Sequence, residues 1–344
     1  MRTRYNVNGS GEMRTAVADG VIEIPLIELG TAGPVELFRR EQARARALVA
    51  AGRHSYGALP FALADRLSRR WLARSDHPYR GEIDAIAAAL GGPGAHLLNL
   101  SFEWGCTSGA LPDGDGVPRL LRVLDWPLDG LGRHVVVARR SVAAGTLIDV
   151  TWPGATGIVT ALAPGRFAAA MNQAPREPRG LGFVGDWLVN RVALLRSAAL
   201  PPAHLLRQVC ENAPDFATAR RLLAETPVAI GAIFILAGTR PGESCVIERR
   251  PAAARIHDGE GAAAANAWLA GGWAGVPRGA DNPGRRRALL AVNGEANQGF
   301  GWLVPPMLNP RTRLAVRASA ATGTLAVLGI ENEKPATSVF SLAA

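Results

Sequence analysis

The sequence predicts an α+β protein, in which helices and strands form separate layers. Short apolar segments with strand character cluster in residues 120–172 and 232–257, where Gly and Pro separate them at hairpin spacing. Helical periodicity dominates residues 34–90 and returns over residues 182–224. Because strands and helices come in blocks and do not alternate, a parallel sheet built from βαβ units is not expected.

The first hundred residues are predicted to hold one strand and three helices. Residues 21–29 alternate in the manner of a strand. The helices are predicted over residues 34–51, 61–73 and 79–90. The run Gly91-Gly92-Pro93-Gly94 ends the third helix, because glycine and proline favour helix termination. An apolar segment, residues 96–104, then leads to Cys106.

The rest of the chain is predicted to mix short strands with helix pairs. Strands are predicted over residues 120–124, 134–138, 145–151, 157–162, 167–172, 232–236, 244–249, 255–257, 314–317 and 324–328. Helices are predicted over residues 182–200, 202–209 and 215–224. A further short helix is predicted to open at Asn282-Pro283, with Asn282 as the N-cap residue.

Composition limits the class of protein and its partners. The 344 residues are 48% hydrophobic and show no linker or fixed repeat, so we expect one large domain. The formal charge is +9, but the arginines are scattered and no basic helix carries interleaved aromatics. Nucleic-acid binding is therefore not expected. The positive balance predicts at most a weak contact with an anionic membrane surface.

The cysteine count and the absence of cofactor motifs further limit the expected cellular location and the expected metals and cofactors. Three cysteines do not form a disulfide framework, and the N-terminus shows no apolar signal segment, so a cytoplasmic location is expected. No Cys/His cluster has zinc spacing, and no phosphate-binding or dinucleotide fingerprint occurs. We therefore expect no metal and no cofactor.

Cys106 is the strongest candidate for a catalytic residue. It lies in Gly105-Cys106-Thr107-Ser108, at the exit of the apolar segment, and Arg122 and Asp125 follow it at 16 and 19 residues. A hairpin between the two segments would return both charged residues to the start of the first strand. One thiol, one guanidinium and one carboxylate would then share a small space.

The chain resembles the amidases of the acid ceramidase, N-acylethanolamine acid amidase and choloylglycine hydrolase group, which use an N-terminal nucleophile. The matching segments cover most of the chain: Pro78 to Ala87, Cys106-Thr107-Ser108, Arg122-x-x-Asp125-Trp126, Gly157 to Phe167, Met171-Asn172, Gly242 to Ile247, Asn266, and Asp281 to Arg287. The resemblance implies a four-layer αββα sandwich with two antiparallel sheets.

The same resemblance implies that the chain cuts itself between Gly105 and Cys106. Residues 1–105 and 106–344 would then form two segments that stay associated as one structural domain. The new α-amino group of Cys106 would have an intrinsic pKa of about 8 and could take the thiol proton. Gly105 suits this cut, because it has no side chain to block the attack.

The resemblance also assigns roles to the other candidate residues. Asp125 would orient the α-amino group, and Arg122 would favour the thiolate and place the substrate carbonyl. Asn266 would donate to the oxyanion of the tetrahedral intermediate. Trp126 would form a wall of the substrate pocket, and Asn172 would help to bind the leaving group or complete the oxyanion hole.

One arginine of the group Arg285-Arg286-Arg287 is also expected near the nucleophile. All three fall in the first turn of the predicted helix, where the helix dipole disfavours positive charge. Such a violation of local preference tends to mark a functional site. We choose Arg285, with Arg286 as the second choice.

Three functions remain open. The first is hydrolysis of a linear N-acyl amide through a thioester on Cys106, with the N-terminal helices forming a channel for a fatty acyl group. The second is an acyltransferase of the penicillin-biosynthesis type, in which an amine takes the acyl group in place of water. The third is a non-catalytic lipid-binding relative, for which Cys106 would be dispensable.

Overall fold

The computed structural model describes residues 21–100, 104–178, 180–182, 186, 189, 192, 196–259, 261–292 and 299–343. Two β-sheets lie face to face in this part of the chain, and Leu124 and Val316 of one sheet share a buried cluster with Ala170 and Ile235 of the other. Most of the helix predicted over residues 182–200 lies outside the described residues.

The first sheet has eight strands in the described residues. Its spatial order is β1-β4-β5-β6-β7-β8-β9-β10, and every neighbouring pair is antiparallel except β1 and β4 at one edge. The strands are β1 (Leu26–Gly30), β4 (Val136–Val142), β5 (Gly145–Thr151), β6 (Thr160–Ala163), β7 (Phe167–Gln173), β8 (Ala232–Ala237), β9 (Ser244–Arg250) and β10 (Ala253–Asp258).

The second sheet is antiparallel throughout and carries the Cys106 hairpin. Its spatial order is β11-β2-β3-β12-β13-β14, and a further strand, β15, also pairs with β13. The strands are β2 (Gly105–Pro112), β3 (Pro118–Asp125), β11 (Ala262–Ala264), β12 (Thr312–Ser319), β13 (Thr324–Glu331), β14 (Lys334–Pro335) and β15 (Phe340–Leu342). The short strands β11, β14 and β15 were not predicted from the sequence.

Helices pack on both sheets and, in the N-terminal part of the chain, mainly on one another. They are α1 (Pro34–Arg40), α2 (Gln42–Tyr56), α3 (Ala58–Arg74), α4 (Arg80–Leu90), α5 (Ala95–Asn99), α6 (Pro202–Asn212), α7 (Phe216–Glu225) and α8 (Asn282–Leu290). Helices α6 and α7 pack on the first sheet, and α8 packs on β2 and β11 of the second. The predicted α+β fold with four layers, αββα, is therefore confirmed.

Two helix boundaries differ from the prediction for local reasons. The helix predicted over residues 34–51 is two helices, α1 and α2, because Glu41 between them leaves helical geometry at ψ 37°. The N-cap of α8 is Asp281 and not Asn282, since the Asp281 carboxylate accepts from the Gly284 amide at 2.9 Å. The side chain of Asn282 instead contacts Arg285, as described below.

Arg207 of α6 joins the N-terminal helices to the rest of the fold. Its guanidinium donates to both carboxylate oxygens of Glu82 in α4, at 2.5 and 2.8 Å, and to Glu211 at 2.7 Å. It also lies 3.9 Å from the centroid of the Tyr79 ring. These contacts fix α4 on α6 and thus hold the helices that precede Cys106. No described helix has the length and apolar run of a membrane-spanning segment.

Candidate active site

The predicted hairpin exists, and it brings Arg122 and Asp125 back to Cys106. Strands β2 and β3 pair so that Gly105 lies opposite Asp125, Cys106 opposite Leu124 and Ser108 opposite Arg122. Arg122 therefore reaches Cys106 diagonally, on the same face of the sheet, and its Nη2 lies 3.2 Å from Cys106 Sγ. Cys106 points between the two sheets and is fully buried.

Burial dominates the electrostatics of the Cys106 thiol. It raises the pKa of the thiol from 9.0 to about 11, although the positive charges of Arg122 and Arg285 oppose this rise. Asp125 adds to the rise, because its negative charge disfavours a second anion nearby. In the continuous chain the thiol is thus protonated at neutral pH. Repeated turnover as a nucleophile therefore requires a base close to the thiol.

Arg122 lies between the sheets and is positioned by hydrogen bonds to β7. Its guanidinium is completely buried and donates to the Met171 carbonyl at 2.9 Å and to Asn172 Oδ1 at 3.3 Å. Desolvation lowers the pKa of Arg122 from its ordinary value, while the neighbouring thiol favours the charged form. Because β7 supplies the two oxygen acceptors, the position of this guanidinium depends on the packing of both sheets.

Asn172, in β7, helps to position Arg122 through its side-chain amide. Its Oδ1 accepts from Ser108 Oγ at 2.7 Å as well as from Arg122, and its Nδ2 donates to the carbonyls of Ala264 and Ala265 at 2.9 and 3.2 Å. The amide therefore joins β7 to β11 and β2. Its predicted contact with a leaving group or an oxyanion would require Nδ2 to release these carbonyls.

The backbone nitrogen of Cys106 donates to Asn266 Oδ1 at 2.7 Å. Asn266 Nδ2 donates to the Gln173 carbonyl at 2.8 Å, so both ends of the amide group have complementary partners. In the continuous chain Asn266 therefore orients the nitrogen of Cys106. Its predicted donation to an oxyanion would require its Nδ2 to exchange Gln173 for the substrate.

Asp125 and Arg285 form a buried ion pair next to Gly105. Asp125 Oδ2 lies 3.2 Å from Arg285 Nη1, and Thr312 Oγ1 donates to Asp125 Oδ1 at 2.9 Å. Burial raises the pKa of the Asp125 carboxyl, and Arg285 and Thr312 oppose this rise. A Cβ at Gly105 would lie 3.6 Å from Asp125 Oδ2, which is ordinary contact. In the continuous chain a Cβ thus fits at Gly105, and steric crowding alone does not require glycine there.

Only one of the three consecutive arginines points into the site. Arg285 is 2% exposed, and its Nη1 donates to the Cys106 carbonyl at 3.1 Å and to Thr107 Oγ1 at 3.2 Å. Arg286 instead donates to the Ala263 carbonyl at 2.7 Å, and Arg287 is exposed. Asn282 Oδ1 accepts from Arg285 Nη2 at 3.0 Å and fixes its direction. The geometry favours Arg285 over Arg286 as the site arginine.

Trp126 forms one wall of an apolar cleft. Its indole nitrogen donates to the Tyr56 hydroxyl at 3.1 Å, and its ring lies 4.9 Å from that of Trp104. The other walls come mainly from the N-terminal helices and the loop after β5: Phe38, Ala45, Leu48, Val49, Ile86, Leu90, Ala95, Leu98, Leu128, Leu131, Trp152, Pro153, Gly154 and Ala155. The lining is almost wholly hydrocarbon, which suits an acyl chain.

The sequence analysis assigned no role to three polar residues of the site. Ser108 and Thr312 hold Asn172 and Asp125, and Gln173 follows Asn172 at the end of β7. Both polar atoms of the Gln173 side chain are buried without a hydrogen-bond partner in the described structure. An unpaired buried amide is costly, so Gln173 is a candidate substrate contact. Its position beside Asn172 was the available signal.

The described residues contain no group of side chains suited to hold a metal ion.

The chain is homologous to N-acylethanolamine-hydrolyzing acid amidases and to acid ceramidases. It is 29% identical to the amidase of Cavia porcellus over 178 residues, which are 50% of this chain and 48% of the relative. It is 32% identical to the acid ceramidase of Heterocephalus glaber over 101 residues, 29% of this chain and 24% of the relative.

A solved structure supports the same fold. The Caenorhabditis elegans ortholog of N-acylethanolamine-hydrolyzing acid amidase aligns with a TM-score of 0.50 and 17% identity, over 63% of this chain and 93% of that chain. No protein-family model matches the sequence. The chain spans about half the length of the curated amidases that it matches, so the activity of these relatives enters only as a proposal.

We predict that Arg285→Gln destabilises the protein far more than Arg287→Gln. Removing Arg285 leaves the Asp125 carboxylate buried without its cationic partner, which typically costs about 3–5 kcal/mol. Exposed Arg287 should change the free energy of unfolding by less than about 0.5 kcal/mol. Urea unfolding measures both variants. Equal, small effects would contradict the buried ion pair.

Proposed function

We propose that the protein is a self-cleaving cysteine amidase that hydrolyses linear N-acyl amides, with a fatty acyl group as the preferred acyl half. The observation that carries the proposal is the convergence on Cys106. Its thiol contacts Arg122, its nitrogen contacts Asn266, and its carbonyl contacts Arg285, all within 3.2 Å. Any buried residue needs partners for its backbone groups, but a merely structural cysteine needs no guanidinium at its thiol.

Self-cleavage would begin with attack of Cys106 Sγ on the carbonyl carbon of Gly105. The peptide C–N bond breaks as the C–S bond forms, and the Cys106 nitrogen becomes an amine by taking the proton that the thiol gives up. Water then hydrolyses the thioester, leaving a carboxylate on Gly105 and a free thiol on Cys106. The contact between the Cys106 nitrogen and Asn266 would hold this nitrogen in place as it becomes the α-amino group.

The new α-amino group supplies the base that the thiol needs. In the continuous chain burial raises the thiol pKa to about 11, so the thiol is mostly protonated at neutral pH. The single attack of self-cleavage needs no catalytic turnover, whereas repeated attack on a substrate needs a base. A free α-amino group has an intrinsic pKa of about 8 and lies on the same residue as the thiol. The negative charge of Asp125 would favour the protonated amine after it has accepted the thiol proton.

Amide hydrolysis would then follow in two steps. The Cys106 thiolate, paired with Arg122, attacks the substrate carbonyl, and donors from Asn266 and Arg285 would stabilise the oxyanion. The ammonium of Cys106 returns its proton to the leaving amine as the C–N bond breaks. Water, activated by the same amine, hydrolyses the thioester and releases the acid. Gln173 would supply a further hydrogen bond to the substrate amide.

The apolar cleft beside Trp126 supports a fatty acyl group as the acyl half. Its lining offers hydrocarbon contacts and almost no polar partners, so a long alkyl chain gains most from burial there. The cleft is formed largely by the N-terminal helices, which would belong to the smaller cleavage product. The Arg207–Glu82 ion pair would help to keep the two chains together.

We predict self-cleavage between Gly105 and Cys106. The purified protein should separate into two chains on a denaturing gel, and N-terminal sequencing of the larger chain should begin at Cys106. Cys106→Ala removes the attacking thiol and should leave one chain. Cys210→Ala, which changes another fully buried cysteine, is the matched control and should still cleave. Release of fatty acid from an N-acyl amide by an uncut chain would refute this mechanism.

We predict that Asp125→Asn lowers turnover by about 10²-fold or more, the scale of positioned proton-transfer groups. The substitution keeps the size of the side chain but removes the charge that favours the ammonium. Asp115→Asn, in the exposed β2–β3 turn, is the control and should retain full activity. Turnover is measured as fatty acid released without an added amine acceptor, which also separates hydrolysis from acyl transfer. A soluble, cleaved Asp125→Asn protein with normal turnover would assign Asp125 to structure alone.

A further inference from the structure

The segment that connects β11 to α8, residues 265–281, lies between two residues of the site. Asn266 stands at its beginning, and Arg285 follows shortly after its end. The segment has no helix or strand in the described structure beyond a single bridge between Val276 and Arg176. Irregular segments of this length are uncommon in compact domains and often carry function. Side chains must therefore hold Asn266 and Arg285 in their places beside the nucleophile.

The first turn of α8 is shaped by Asp281 and Gly284. Asp281 has left-handed backbone geometry at φ 41° and ψ 51°, which is uncommon for a residue with a side chain. A Cβ at position 284 would lie 2.0 Å from Asp281 Oδ2, so only glycine leaves room for the carboxylate that caps the helix. The turn is followed directly by Asn282, whose side chain is 5% exposed.

The buried amide of Asn282 makes four hydrogen bonds. Its Oδ1 accepts from the backbone nitrogen of Asn266 at 2.7 Å and from Arg285 Nη2 at 3.0 Å. Its Nδ2 donates to the carbonyls of Arg278 and Gly279 at 3.0 and 3.4 Å. The reversed amide would direct donors at donors, so the hydrogen bonds fix this orientation. One oxygen atom thus joins Asn266 to Arg285.

The two residues that Asn282 joins both contact Cys106. Asn266 Oδ1 accepts from the Cys106 nitrogen at 2.7 Å, and Arg285 Nη1 donates to the Cys106 carbonyl at 3.1 Å. Arg285 Nη2 also lies 3.4 Å from Asn266 Oδ1, which closes the arrangement. A displacement of Asn282 would therefore move both partners of the nucleophile. Misplacement of reacting groups by about 1 Å can lower a rate about 10²-fold.

We propose that Asn282 is a positioning residue, which aligns Asn266 and Arg285 on Cys106 through its side-chain oxygen. It acts through these two residues and not on the substrate. The inference rests on the proposed amidase function, in which both residues stabilise the oxyanion. Because the oxyanion develops only in the transition state, loss of the alignment lowers kcat and leaves KM nearly unchanged.

Two substitutions isolate the oxygen of Asn282. Asn282→Leu and Asn282→Asp both remove the donations to the Arg278 and Gly279 carbonyls, but only aspartate keeps an acceptor for Asn266 and Arg285. We expect Asn282→Leu to lower kcat at least 100-fold with KM within threefold, whereas Asn282→Asp retains at least a tenth of kcat. Fatty acid released from one N-acyl amide measures both constants. Equal losses in the two variants, or normal turnover by Asn282→Leu, would overturn the inference.

Asn99 provides a matched control for the loss of a buried amide. Its Oδ1 accepts from the Thr156 nitrogen and hydroxyl at 2.6 and 2.9 Å, and its Nδ2 donates to the Ala95 and Gly154 carbonyls at 2.9 and 2.8 Å. Asn99→Leu should lower the melting temperature about as much as the leucine variant at position 282, while kcat stays within fivefold of the unchanged protein. A 100-fold fall in kcat for Asn99→Leu would show that kcat follows stability alone, and would overturn the inference.

Alkylation of Cys106 by iodoacetamide tests the alignment without any substrate. The charge of Arg285 opposes the rise in the pKa of the Cys106 thiol, so displacement of Arg285 makes the reactive thiolate rarer. We expect Asn282→Leu to slow alkylation of the Cys106 peptide at least fivefold at neutral pH, and Asn99→Leu to stay within twofold. Mass spectrometry of the peptide measures the rate.

The two assays separate this inference from the proposed function. If the unchanged protein hydrolyses no N-acyl amide while Asn282→Leu alone is alkylated slowly, the proposed function fails and the positioning role stands. Equal alkylation rates in the unchanged protein and Asn282→Leu would overturn the positioning role, even where amide hydrolysis confirms the proposed function.

Discussion

The site depends on one buried interaction, the contact between the Arg122 guanidinium and the Cys106 thiol. Both groups are fully buried between two sheets, where an unpaired charge is very costly. The cost is offset by oxygen acceptors from β7, namely the Met171 carbonyl and Asn172. Cys106 and Arg122 can therefore lie deep in the sandwich only because strands of both sheets meet at this point.

A second group of polar side chains lies on the other face of β2. The backbone of Cys106 connects it to the contact between Arg122 and the Cys106 thiol. The carbonyl of this residue accepts from Arg285, which pairs with Asp125, while its nitrogen donates to Asn266. The thiol thus faces one set of partners and the peptide groups face another. This division fits a residue whose thiol and nitrogen would both act once the preceding bond is cut, as we propose.

Local sequence patterns indicated only the hairpin part of this arrangement, whereas the distant residues Asn266 and Arg285 were indicated by the family resemblance. The Cys106, Arg122 and Asp125 group was predictable because a hairpin joins residues close in sequence. The contact of Asn266 with the Cys106 nitrogen spans 160 positions and depends on β11, which is only three alanines long. Asn172 bridges strands, and the Gln173 amide is unpaired, because of the way the two sheets pack. No local sequence pattern predicts this packing.

The central claim is that Cys106 carries the acyl group during turnover. It is tested most directly by acid-quenching the protein with an N-acyl amide and measuring the mass of the peptide that contains Cys106. The account predicts that this peptide gains the mass of the acyl group, that hydroxylamine removes it, and that Cys106→Ala shows no gain. Turnover with an unmodified Cys106 peptide, or an acyl group found on Cys210 or Cys245, would contradict it.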